Sequence, residues 1–85
     1  MKNVTIYTTQ MCPYCVRAKK LLNKKGVDYI ELRVDLNPEL VQEAIKKSGG
    51  LRTVPQIFIE DFHVGGCDEL YALDRQNRLE ILLGL

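Results

Sequence analysis

The chain has 85 residues, 46% of them hydrophobic, with 12 basic and 11 acidic side chains and a net charge of +1. That suits a single domain over residues 1–85 with its own core. The near-neutral balance gives no electrostatic footprint for nucleic acid, and no apolar run approaches the ~20 residues that span a bilayer.

Three cysteines are an odd number, unlike the framework of a secreted disulfide scaffold. Residues 1–6 carry no long apolar stretch, so we expect no signal or transit peptide. A cytoplasmic, reducing setting follows as the expectation, and there a persistent disulfide is more often catalytic than structural.

In chain order, residues 4–8 are short, β-branched and aromatic, and predict a strand. A helix follows over about residues 13–25, with Tyr14, Cys15, Ala18, Leu21 and Leu22 on one face and Gly26 as its stop. Residues 29–35 alternate, Ile30, Leu32 and Val34 against Glu31, Arg33 and Asp35, as a strand at a sheet edge does. Asn37, Pro38 and Glu39 supply a cap, a first-turn proline and a first-turn acid for a second helix. Its expected buried stripe is Leu40, Val41, Ala44 and Ile45, and Ser48, Gly49 and Gly50 end it.

Residues 53–59 read as a third strand that tolerates Pro55 near its start. Residues 60–62 form a hairpin turn and 63–65 a return strand. Gly65 and Gly66 lead into a helix beginning at Cys67 and Asp68, interrupted around residues 74–77. The order β-α-β-α-β-β-α-α predicts one four-stranded mixed sheet with helices on both faces, its first two strands parallel and its last two an antiparallel hairpin.

The chemistry concentrates at Cys12, Pro13, Tyr14 and Cys15. With Cys12 as a helix N-cap and Pro13 at the first helical position, the two thiols lie within reach of a disulfide. First-turn N–H groups and the positive end of the helix dipole favour a thiolate at Cys12. The thiolate is the nucleophile, and a helix N-terminus lowers its pKa from about 8.5. Arg17, Lys19 and Lys20 add positive charge. Cys12 is therefore the expected nucleophile and Cys15 the resolving thiol. A zinc site built from the three cysteines and His63 is the competing use of these residues. The proline and the helix start argue against it, and we expect no metal. Cys67 reads as a small helix-start residue without a redox role, and His63 as an exposed strand residue and not a general base.

Cys12-Pro13-Tyr14-Cys15, Thr53-Val54-Pro55 and Gly65-Gly66-Cys67-Asp68, in this order and separation, resemble a dithiol glutaredoxin of the small bacterial type. The resemblance covers nearly the whole chain and implies an α/β thioredoxin-like fold. It implies a glutathione-dependent thiol–disulfide oxidoreductase whose reducing co-substrate is glutathione. By position, Cys12 would attack mixed disulfides and Cys15 would resolve them. Tyr14 would flank bound glutathione. Thr53 and Val54 would pair their backbone with its cysteinyl part, before a cis Pro55. The N–H groups of Cys67 and Asp68 would hold the γ-glutamyl carboxylate, and the Asp68 carboxylate its ammonium group. Glutathionylated or disulfide-bonded proteins, ribonucleotide reductase among them, would be partners of a monomer. A potential of about −200 to −230 mV is the glutaredoxin range. The sequence departs from the family at Thr9, where a lysine often binds the glycyl carboxylate; Arg52 and Gln42 are the candidate substitutes. The alternatives are a thioredoxin-like reductant and a glutathione-ligated [2Fe–2S] carrier.

Overall fold

The computed structural model describes residues 2–85, and its elements follow the expected order. They are β1 (Val4–Thr8), α1 (Pro13–Lys24), β2 (Ile30–Arg33), α2 (Pro38–Lys47), β3 (Gln56–Ile59), β4 (Phe62–Gly65), α3 (Cys67–Arg75) and α4 (Leu79–Leu83). The sheet order is β2-β1-β3-β4. β1 pairs with β2 in parallel, and with β3 antiparallel; β3 and β4 form an antiparallel hairpin with an irregularity between Ile57 and Phe58.

The period-2 alternation of the central strands divides the core into two layers. Val4 and Ile6 on β1, with Ile57 and Ile59 on β3, pack with Ala18, Leu21 and Leu22 of α1, Leu70 of α3 and Leu79 and Leu83 of α4. On the opposite face Tyr7 and Phe58 pack with Val34 and Ala44, backed by partly buried Leu32, Leu40, Val41 and Val54. Tyr7 and Phe58 meet edge to face, their ring centres 5.8 Å apart. Helices thus cover both faces, but unequally. The α2 face is the thinner layer: of its expected buried stripe only Ala44 is fully buried. Ile30, expected on the apolar side of the edge strand, is 58% exposed, because it lies outside that small cluster.

Local rules account for most boundaries. The Asn37 side chain caps α2 by accepting from the Glu39 N–H at 3.0 Å. Gly26, at φ +72°, follows the Lys25 cap of α1. The interruption before α4 contains Asn77 in the left-handed region, at φ +57°. Lys25 bridges Asp74 at 2.6 Å and Glu80 at 3.1 Å, which ties the end of α1 to the last two helices. Those two carboxylates raise the Lys25 pKa.

The third strand is shorter than the sequence predicts. It starts at Gln56, so Thr53 and Val54 stand outside the sheet ladder. Pro55 has no N–H to donate, and the peptide bond before it is cis, as the family resemblance implies.

Glu31 on β2 gathers two donors: the Thr8 hydroxyl at 2.7 Å and Lys19 Nζ at 2.9 Å. These hydrogen bonds, Lys19 first, lower its pKa from the ordinary value of 4.5. Stability from such a group is complete above its unfolded-state pKa and is lost as pH falls through its folded-state pKa. Solvent screens the pair, so Glu31→Gln should cost only about 1 kcal/mol at pH ~7. The deficit should shrink as pH falls below about 4.5 and through the lowered folded-state pKa, where the wild-type side chain becomes neutral like glutamine. Urea midpoints across that range check this; a constant deficit would mean that the charge is not what matters at this position.

Candidate active site

Cys12 precedes α1 as its N-cap, with extended backbone, and Pro13 opens the helix. The Cys15 N–H donates to the Cys12 sulfur at 3.1 Å, the first-turn contact expected to favour a thiolate. The two cysteines are joined as a disulfide, with Cα atoms 5.2 Å apart. Their surroundings differ sharply. Cys12 is half-buried, whereas Cys15 is 1% exposed. An incoming disulfide therefore meets Cys12 first.

The antiparallel register of β1 on β3 sets Tyr7 opposite Gln56. The chain leaving β1 towards Cys12 thus runs beside the chain entering β3 from Val54. The Cys12 sulfur comes to 3.9 Å from the Val54 carbonyl oxygen.

From there a groove of about 180 Å³ runs to the start of α3. It is lined by Tyr14, Thr53, Val54, Pro55, Cys67 and Asp68, the six residues that the resemblance nominates, together with Leu51, Gln56, Gly66 and Glu69. Tyr14, at 54% exposure, forms an open wall. The Arg17 guanidinium lies 5.8 Å from the centre of the Tyr14 ring and 5.5 Å from that of Tyr71, whose hydroxyl donates to the Arg17 carbonyl at 3.0 Å. Arg17 thus links Tyr14 to α3 through two rings.

At the far end, the N-terminus of α3 presents first-turn N–H groups. Glu69 Oε1 accepts the Gly66 N–H at 2.7 Å, which closes the turn before the helix. Gly65 has φ +111°, and a Cβ there would sit 2.9 Å from Glu69 Oε1. Only glycine allows the chain to turn this closely. The Cys67 side chain packs into the core, where burial pushes its thiol pKa up against the pull of Arg17. It behaves as a small core residue.

On the other side of the cysteine pair a second hollow of about 340 Å³ is lined by Thr9, Met11, Cys12, Pro13, Lys19 and Arg33, among others. Both cations there have partners. Lys19 pairs with Glu31, and Arg33 with Asp35, whose carboxyl the guanidinium holds down at about 2. Of the three cations expected near Cys12, Lys19 lines the hollow beside it and Arg17 is committed to the tyrosines. Neither Arg52 nor Gln42, the candidates to replace the lysine missing at Thr9, lines the groove. Arg52 lies instead at a small cavity beside α2.

His63 departs from its expected exposed position. It is half-buried, stacked on Phe58 with ring centres 4.8 Å apart, and its Nε2 is 2.7 Å from Gln56 Oε1. Gln56 and Glu69 are groove residues that the sequence reading did not single out. A lone polar residue in the apolar run Gln56-Ile57-Phe58-Ile59, and a glutamate three residues after Gly66, are the signals that could have found them. Among the described residues, no three His, Cys, Asp or Glu side chains gather as metal ligands.

Known proteins resemble this chain in sequence and in fold. The family model described as glutaredoxin matches residues 4–64. Glutaredoxin 3 of Escherichia coli strain K12 is 57% identical over 83 residues, covering 98% of this chain and 99% of the relative. A glutaredoxin of Pseudomonas aeruginosa is 55% identical over 83 residues, with 98% of each chain covered. The crystal structure of a buckwheat glutaredoxin–glutathione complex superposes with a TM-score of 0.86 at 32% identity, over 95% of this chain and 76% of the other. With an N-capping cysteine pair at the end of a thioredoxin-like sheet, and with relatives matched over nearly its whole length, the chain belongs to the glutaredoxin family and is a glutathione-dependent thiol–disulfide oxidoreductase.

Proposed function

We propose that glutathione, free or as one half of a mixed disulfide, docks in the groove from Tyr14 to Asp68 with its sulfur towards Cys12. The observation that carries this reading is the convergence of the six nominated residues on one groove that ends beside the Cys12 sulfur. The ligand's chemistry fits each part. The first-turn N–H groups of Cys67 and Asp68 suit a carboxylate, as helix N-termini do. The adjacent Asp68 carboxylate suits an ammonium group. Val54 offers backbone groups for a peptide partner, and Tyr14 a flat apolar wall.

In this reading the Cys12 thiolate attacks the glutathione sulfur of a protein–glutathione disulfide. A Cys12–glutathione bond forms, and the protein sulfur leaves as a thiolate and takes a proton. A second glutathione thiolate then attacks the bound glutathione sulfur, oxidised glutathione departs, and the Cys12 thiolate is restored. With a protein disulfide, Cys12 attacks one sulfur, and the Cys15 thiolate then attacks Cys12 and releases the reduced protein. Two glutathiones reopen the Cys12–Cys15 bond and leave as one disulfide, so two electrons pass per cycle. The exposure difference between the cysteines supports Cys12 as attacker and Cys15 as resolver. The reading extends to a monomer acting in the cytoplasm, with glutathione reductase and NADPH restoring glutathione and ribonucleotide reductase among the acceptors. Family resemblance supports these last points, and the odd cysteine count supports the reducing setting.

A coupled assay with glutathione, glutathione reductase, NADPH and a small glutathione mixed disulfide tests the roles. Cys12→Ser should abolish NADPH consumption. Cys15→Ser should retain deglutathionylation and lose reduction of protein disulfides; loss of both would reverse the assignment. Asp68→Ala should raise KM for the glutathionylated substrate about five- to twenty-fold, the loss of one charge-assisted contact. An unchanged KM would remove Asp68 from the site.

A further inference from the structure

Thr53 and Val54 belong to no helix or strand, and among the described residues no backbone–backbone hydrogen bond reaches either of them. A backbone segment meant to pair with a peptide ligand cannot also be left free to move, because each lost degree of freedom is then charged against binding. The side chain of Gln56 supplies the missing anchor. Its Nε2 lies 3.0 Å from the Thr53 carbonyl oxygen and 3.1 Å from Thr53 Oγ1. A carbonyl oxygen only accepts, so the amide nitrogen, not the oxygen, must face Thr53. That orientation leaves Gln56 Oε1 facing His63 Nε2 at 2.7 Å, where it can only accept, so His63 must donate from Nε2. His63 is held for this task by its stack on Phe58, the residue it opposes across the hairpin.

Gln56 is 2% exposed and starts a strand whose next three residues are all apolar. A buried amide there is costly unless every polar atom is satisfied. Here all of its partners lead towards the groove or to the histidine that orients the amide. The Thr53 carbonyl is thereby used internally, which leaves the Thr53 N–H and the N–H and C=O of Val54 for a ligand.

We propose that Gln56 is a positioning residue of the glutathione groove, fixing the Thr53 backbone so that Val54 presents its peptide groups, and that His63 sets the orientation of the Gln56 amide. This rests on the reading of the groove as the glutathione site.

The test compares wild type, Gln56→Met, Gln56→Glu, His63→Phe and Asp68→Ala in the coupled assay with a glutathionylated peptide. Reduction of the Cys12–Cys15 disulfide by dithiothreitol, which needs no bound glutathione, is the comparison reaction. Gln56→Met should raise KM about five- to ten-fold with kcat held within about two-fold, and change the dithiothreitol rate by less than the loss in kcat/KM. Gln56→Glu keeps the shape but, ionised, cannot donate to Thr53, and should raise KM at least as much. His63→Phe keeps the ring stack and should raise KM by about two- to three-fold. An unchanged KM in both Gln56 variants, alongside a raised KM in Asp68→Ala, overturns the positioning role alone. An unchanged KM in the Asp68 and Gln56 variants together overturns the groove reading and this proposal with it. Nitrogen-15 NMR of the wild-type protein keeps the proposal falsifiable should the variants not fold. Neutral His63 should carry its proton on Nε2, with the Gln56 amide protons protected from exchange; the Nδ1–H tautomer overturns the proposal.

Discussion

The antiparallel register of β1 on β3 is the constraint on which the site depends. Pairing Tyr7 with Gln56 brings together two chain segments almost fifty residues apart in sequence, the exit towards Cys12 and the approach through Thr53, Val54 and Pro55. A slip of one residue would turn Ile57 and Ile59 away from α1 and carry Gln56 to the wrong face. Core packing and site assembly are therefore one choice. The isoleucines are buried against α1 and α3 only in the register that also places Val54 beside the Cys12 sulfur.

The same register sorts the polar groups. Val4, Ile6 and Thr8 share the face covered by α1, where the Thr8 hydroxyl and Lys19 meet Glu31. Tyr7, Gln56, Phe58 and His63 share the opposite one, where a stacked histidine and a buried amide run from the core to the groove. The first network ends beside the hollow at Cys12 and the second ends at Thr53. Electrostatic support for thiolate chemistry is thus built from oriented backbone at the start of α1 more than from free cations, since Lys19 and Arg33 are both paired with carboxylates. A helix terminus is well suited to this role: its N–H groups are fixed by the fold and need no side-chain ordering.

Two helix N-termini, of α1 and α3, bound the groove, and the Arg17 guanidinium between Tyr14 and Tyr71 joins them. The wall formed by Tyr14 would otherwise rest on one exposed side chain. The tight turn into α3 depends on Gly65, whose φ of +111° is a conformation that residues with a side chain rarely adopt. The end of the groove that suits a carboxylate is set in this way by backbone geometry.

Much of this was legible from the residues alone. The cysteine pair, Pro13, the Asn37 cap and the alternation of β1 are local signals, since each depends on neighbours within a few positions and on the elementary stereochemistry of helices and strands. They determined the element order, the mixed sheet and Cys12 as the N-capping thiol. Only the tertiary structure decided that Ile30 lies outside the buried cluster, that β3 starts after Thr53 and Val54, and that Gln56 and His63 serve one network. Those outcomes rest on pairing across the sheet and on which helix reaches which strand. Such contacts join residues distant in sequence, and a single chain's local periodicity carries no record of them.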